Sequence, residues 1–328
     1  MGNSRVPASR AGLLAFCVVL LGQGFAGSAA EAKCSDTLNG ECVLRGATMT
    51  QHQCAETPES VWLAKDRGGD CIRYYSFGLK DTNPIVLVFF HADAMLQGDL
   101  MAQAGGSGAI YPHNDNKPDV LRARMQKVSQ RFGVPAIFVA RPGVYGSSGN
   151  HNERRHKREV DLMSRALDEL RQRHNIENFA LAGHSGGGHL VGAMLANRRD
   201  IKCAAMTSAA VAVRARAAAQ GRAASAAAYR DFYDPIDHVD RIAKSPDLTI
   251  FVVGDEKDSI VPFNTQKMYF DKLIKRGLDA HLLRGRGSDP QHHDLEGCGI
   301  GIAGLCAQNR NATETLDMVK GSSSYCAL

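Results

Sequence analysis

A chain of 328 residues with 44% hydrophobic and 22% charged residues has an ordinary globular composition, enough for one large domain or two small ones. The formal net charge is +5, falling to +3 if Arg5 and Arg10 leave with an N-terminal leader. That balance is too mild to argue for nucleic acid or an acidic membrane as partner.

Residues 1–30 read as a secretory signal. Arg5 and Arg10 form a basic start, residues 11–21 an apolar centre, and Ser28-Ala29-Ala30 a small-residue cleavage site. The apolar stretch is shorter than the ~20 residues a membrane span needs, so no stable membrane anchor is expected. Eight cysteines remain after Cys17 leaves: Cys34, Cys42, Cys54, Cys71, Cys203, Cys298, Cys306 and Cys326. An even count in an exported chain predicts disulfides in a secreted or periplasmic protein. Their clustering predicts that residues 34–71 pin a polar, irregular N-terminal extension at 31–70. Cys298 to Cys326 would pin the tail.

The remainder, 71–328, reads as one domain. Strands are expected at 71–77, 84–90 and 136–140, with helices at 118–132 and 157–174. Helix 118–132 carries Leu121, Met125, Val128 and Phe132 on one side. The run 84–90 is continuously apolar, as in a strand covered on both faces. A further strand is expected at 179–182 and a helix at 189–197. Strands near 203–207, at 248–253 and at 279–283, with a helix at 265–275, complete the series. Regular alternation predicts an α/β fold with a mostly parallel sheet and helices on both faces. Residues 211–233, rich in alanine and arginine, are a candidate helical cap.

The stretch that organises the chain is Gly183-His184-Ser185-Gly186-Gly187-Gly188, set between a strand and a helix. This is the G-x-S-x-G nucleophile-elbow pattern. A tight strand-to-helix turn needs Gly183 and Gly187 where a Cβ would clash. It lifts the Ser185 hydroxyl clear of the sheet and aims the Gly186 N–H at developing negative charge. A phosphate-binding loop would need Gly-Lys-Ser/Thr at the helix start, and no lysine is there.

A serine hydroxyl needs a base, and the base needs a third group to hold its tautomer. On a parallel sheet both belong after later strands, at the carboxyl edge. Residues 254–262 offer Asp255 and Asp258, and residues 284–295 offer His292 and His293. The order is therefore Ser, Asp, His.

With these residues the chain resembles the α/β-hydrolase superfamily, over roughly 71–295, and within it the esterase-like and prolyl-oligopeptidase-like branches. The resemblance implies an α/β-hydrolase fold with a Ser-His-Asp triad. It places the acid on Asp258, four residues before Pro262 in a D-x-x-V-P turn, with Asp255 as rival. It places the base on His293, in His293-Asp294-Leu295, with His292 as rival. The oxyanion hole falls on the backbone amides of Asp93 and Gly186, with Ala92 or Ala94 as alternatives to Asp93. His91 and the loop 141–149 (RPGVYGSSG) are implied to brace the active-site edge, and Tyr145 to be a candidate substrate contact.

The expected function is that of a secreted serine hydrolase cleaving small-molecule or polymeric carboxylic esters through an acyl-enzyme, with no metal or organic cofactor. A serine peptidase of the prolyl-oligopeptidase kind is the alternative within enzymes. The length leaves no room for that family's N-terminal propeller, which tilts the reading toward esters. A non-catalytic binding relative is the alternative from another class. Oligomeric state and substrate identity are open at this level.

Overall fold

The computed structural model describes residues 47–93, 117–222 and 231–328. The expected leader, Cys34, Cys42, residues 95–116 and the middle of the 211–233 segment lie outside the described residues.

Eight strands form one sheet in the order β1-β2-β4-β3-β5-β6-β7-β8. They are β1 (Ser60–Ala64), β2 (Gly69–Phe77), β3 (Asn83–Phe90), β4 (Ala136–Val139), β5 (Ile176–His184), β6 (Ile201–Thr207), β7 (Thr249–Gly254) and β8 (Ala280–Arg284). β1 and β2 form an antiparallel edge, β2 runs antiparallel to β4, and every other neighbour is parallel. The helices are α1 (Gln51–Glu56), α2 (Pro118–Phe132), α3 (Lys157–Arg173), α4 (Gly186–Met194), α5 (Val213–Ala219), α6 (Phe263–Lys275), α7 (Glu296–Ala307) and α8 (Ala312–Gly321).

The strand pleat divides the core. Val86, Val88 and Phe90 of β3 pack with Val160 and Met163 of α3, Leu190 of α4 and Leu273 of α6. Leu87 and Phe89 point to the other face, toward Leu121 and Met125 of α2 and Ile302 and Leu305 of α7. Residues 86–90 are wholly buried, and each such side chain contributes about 1.5–3 kcal/mol relative to exposure. This double coverage explains why β3 shows no polar alternation.

Residues 51–56 and 60–64 correct the expectation of an irregular N-terminal stretch. Thr50 caps α1 in a capping box with Gln53, and β1 extends the sheet. Cys54 is joined to Cys71 of β2, which ties α1 to the sheet. Two more disulfides, Cys203–Cys306 and Cys298–Cys326, bind α7 to β6 and the C-terminal segment to α7. Cys203 thus pairs with a partner 103 residues away, a link that cysteine clustering did not suggest. Among the described residues no helix is long and apolar enough to cross a membrane.

The chain turns one way from β3 to β4 and the other way from β5 through β8. The carboxyl ends of β3 and β5 therefore border a topological switch point, where α/β sheets place their ligands.

Candidate active site

β5 ends at His184, Ser185 makes the turn, and α4 begins at Gly186. Ser185 has φ 53° and ψ −111°, a conformation that costs a non-glycine residue of order 1–3 kcal/mol and persists only when its surroundings enforce it. Here they do. Ser185 N–H donates to the Thr207 carbonyl at the end of β6 (2.8 Å), and His189 N–H donates to the Ser185 carbonyl (3.0 Å). A Cβ on Gly183 would overlap the Gly187 carbonyl, and a Cβ on Gly187 would overlap the Phe90 carbonyl and lie 2.6 Å from that of His91.

The candidate acid and base loops follow β7 and β8 to the same edge. His293 Nδ1 lies 2.9 Å from Asp258 Oδ2 and 3.1 Å from Oδ1. A carboxylate is acceptor-only, so Nδ1 carries the proton and Nε2 is left as the basic nitrogen. Asp258 Oδ1 also accepts the backbone N–H groups of Ile260 and Val261, each at 2.8 Å. The His293 carbonyl accepts the Ser208 hydroxyl (2.6 Å), and its N–H donates to Asp289 Oδ1 (2.6 Å). Ser208 and Asp289 thus hold the imidazole loop from both sides. The His293 ring sits 5.0 Å, centre to centre, from that of His184, the residue before Ser185. No hydrogen bond joins Ser185 to His293. Bonds between nucleophile and base are often long before substrate binds.

The two rivals face each other instead. His292 Nδ1 lies 3.3 Å from Asp255 Oδ2, and His292 itself has φ 56°. Asp255 accepts the N–H groups of Lys257 (2.8 Å) and Gly287 (2.9 Å). Burial raises its pKa, but these backbone donors outweigh burial and the net direction is down. Asp255 is therefore a brace between the two loops, with its oxygens already committed.

After β3, Asp93 lies against the elbow: its Cγ is 2.6 Å from where a Gly186 Cβ would be. The structure thus brings Asp93 and Gly186 together. The Asp93 side chain meets Arg141 Nη1 at 2.8 Å, Arg155, and Arg154 at 3.5 Å. Burial raises this carboxyl, yet the three guanidinium charges hold it well below the usual range. Arg141 is fully buried and also bonds Glu159 (2.8 Å). Its backbone N–H donates to His91 Nε2 (3.1 Å), so the His91 Nδ1–H donates to the Ala92 carbonyl (2.6 Å). His91 and the 141–149 loop brace this edge, as expected. Tyr145 stacks edge-on against His91, ring centres 4.5 Å apart. The Arg141-Asp93-Glu159 network was not visible in the sequence, where a lone buried arginine leaves no spacing signal. Among the described residues no group of His, Cys, Asp and Glu could hold a metal ion.

Besides His91, three buried histidines near this edge are kept neutral, chiefly by burial. His184 is lowered to about 4, with the His293 charge as second cause, and His151 and His189 each to about 3. Their unfolded value is near 6.5, so the unfolded chain binds protons that the folded protein refuses. The stability they preserve is complete above about pH 6.5 and is lost as pH falls through 6 toward 4. At pH 5 the loss is expected to be roughly 2 kcal/mol per histidine. Urea unfolding at pH 7.5 and pH 5 checks this: a midpoint unchanged between them contradicts it.

Residues 149–292 match the model of the prolyl oligopeptidase family. Among curated proteins, none matches this sequence. An acylaminoacyl peptidase solved with Z-Gly-Gly-Phe-chloromethyl ketone is 12% identical, with a TM-score of 0.51 over 79% of this chain and 43% of that one. The acylaminoacyl peptidase of Pyrococcus horikoshii is 12% identical, TM-score 0.49, over 72% and 39%. The ferulic acid-bound esterase Est1E of Butyrivibrio proteoclasticus is 13% identical, TM-score 0.48, over 79% and 99%. The chain thus spans about two fifths of the peptidases it resembles. Mostly parallel sheet and serine elbow show an α/β-hydrolase fold, and the family match across that elbow supports a serine hydrolase similar to the prolyl oligopeptidase family.

Proposed function

We propose that the protein is an exported hydrolase of carboxylic esters that works through Ser185, His293 and Asp258. The observation that carries the triad is the His293–Asp258 pair, held beside a serine in the strained elbow geometry. Ser185 attacks the ester carbonyl while His293 Nε2 takes its proton, and Asp258 stabilises the imidazolium that forms. The backbone amides of Gly186 and Asp93 receive the oxyanion. Each such donor typically lowers the barrier by about 3–4 kcal/mol. The proton on His293 passes to the departing alkoxide, and water releases the acyl group by the reverse sequence. No step calls for a metal or organic cofactor.

Esters are preferred to peptides on chemical grounds: an alcohol leaves more readily than an amine and asks less of the general acid. The second reading, peptide hydrolysis, is favoured by the prolyl oligopeptidase match. Export is supported by the leader pattern and the three disulfides, which persist in oxidising compartments. Residues 213–219, whose Arg216 reaches the acid loop, support the reading of 211–233 as a cap.

Purified protein tested on nitrophenyl esters and on aminoacyl and dipeptidyl anilides separates the readings. Ester turnover at least a hundredfold above anilide turnover is expected. Anilide cleavage without ester turnover overturns the ester assignment and leaves the peptidase.

A further inference from the structure

The arginines around the site are not equally matched. Arg141, Arg154 and Arg155 share the carboxylates of Asp93 and Glu159. Arg214 pairs with Asp237 and lies 3.7 Å from Asp234. Arg216, one turn into α5 from Val213, has no carboxylate partner among the described residues. Its Nε donates to the Ile260 carbonyl (2.9 Å), which also accepts Gln220 Nε2 (2.8 Å). Ile260 belongs to the turn whose amides hold Asp258. Both terminal nitrogens of Arg216 are left with no acceptor among the described residues.

Its position follows from its neighbours. Arg216 interacts electrostatically with Asp93, which abuts the elbow, with the Arg155 paired to Asp93, and with Arg222 and Asp258. The guanidinium therefore reaches the turn whose amides hold Asp258. It is partly buried, and burial followed by the charge of Arg155 lowers its pKa to about 10. A partly buried guanidinium beside another cation is stabilised when an anion meets it. An unrestrained arginine would sample many rotamers. Arg216 is instead pinned by Nε, with its planar fork of donors open, the geometry suited to a carboxylate.

We propose that Arg216 is a specificity-determining residue that receives a carboxylate on the substrate, so that the preferred esters are monoanions carrying a free carboxyl group besides the scissile ester. This rests on the proposed esterase reading. One open guanidinium suits the single charge of a carboxylate better than a phosphate dianion.

Two ester pairs test it: mono-4-nitrophenyl glutarate against 4-nitrophenyl butyrate, and 4-acetoxybenzoate against its methyl ester. They place the carboxylate on the acyl and the alcohol side. In at least one pair the anionic ester is expected to have a kcat/KM tenfold or more above its neutral partner, chiefly through KM. Arg216→Gln should reduce that ratio at least tenfold, and Arg216→Lys should restore part of it. Lys275→Gln, an equal charge change on exposed α6 surface, should leave the ratio in place. A ratio near one in both pairs, or one that Arg216→Gln does not alter, overturns the proposal. A readout without turnover separates this from failure of the esterase reading. Glutarate or benzoate should raise the melting temperature of Ser185→Ala protein and lose that effect when Arg216→Gln is added. No rise with either anion refutes the carboxylate site, whatever the enzyme hydrolyses.

Discussion

Asp258→Asn is expected to lower kcat for ester hydrolysis by about 10⁴-fold, and Asp255→Asn by less than tenfold. An asparagine at 258 keeps the shape but presents an amide where the His293 Nδ1–H needs an acceptor, favouring the wrong tautomer and leaving the imidazolium without its counter-charge. The two aspartates sit in one turn, so a general disturbance of the loop would affect both. Only the Asp258 carboxylate faces His293, at 2.9 Å, while Asp255 faces His292 and the amides of Lys257 and Gly287. Initial rates with a nitrophenyl ester, on variants shown to be folded by circular dichroism, measure the contrast. Equal losses in both variants, or the larger loss at 255, would transfer the acid role.

Gly187→Ala should be the most disruptive single methyl in the protein, costing more than about 4 kcal/mol or preventing folding. The added carbon falls on the Phe90 carbonyl and close to that of His91. Neither can retreat, because the end of β3 is hydrogen-bonded on both sides, to β4 and β5. Gly133→Ala gives the comparison. Gly133 has φ 66° at the end of α2 and open space around its Cβ position. It should cost only the left-handed backbone strain, about 1–2 kcal/mol. Denaturant midpoints of the two variants decide. A Gly187→Ala protein as stable as Gly133→Ala would mean that the strand-to-helix turn is far looser than the structure shows.

The helix at 118–132 was legible to the residue because Pro118 starts it, Gly133 stops it, and one apolar stripe runs between. β3 was legible as a buried run with Asn83-Pro84 at its start. α7 was not. Its sequence, EGCGIGIAGLCA, is apolar all round and rich in glycine, so it shows no amphipathic stripe. The glycines are there because the helix packs closely, with Gly304 set against the Phe132 ring and Gly301 against the backbone of Tyr325. β1 was hidden too, since five residues between polar turns carry little pattern.

In the site, the elbow declared itself by glycine spacing and the candidate acid and base by their place after β7 and β8. Choosing Asp258 over Asp255, and His293 over His292, needed the resemblance. In space each aspartate finds one histidine, a pairing that linear order cannot express. The opposed charges of Arg141, Arg155, Asp93 and Glu159 were equally invisible. They come from three separate segments and meet only once the sheet has formed. Arg216 read as one basic residue among several until Arg155 and Arg214 proved to be paired with carboxylates and it did not.

A fluorophosphonate probe followed by peptide mapping tests the central claim most directly. One adduct per chain is expected, on the peptide containing Ser185, with the labelling rate reduced at least a thousandfold in His293→Ala protein. An unlabelled folded protein, or an adduct on a different residue, would contradict the account.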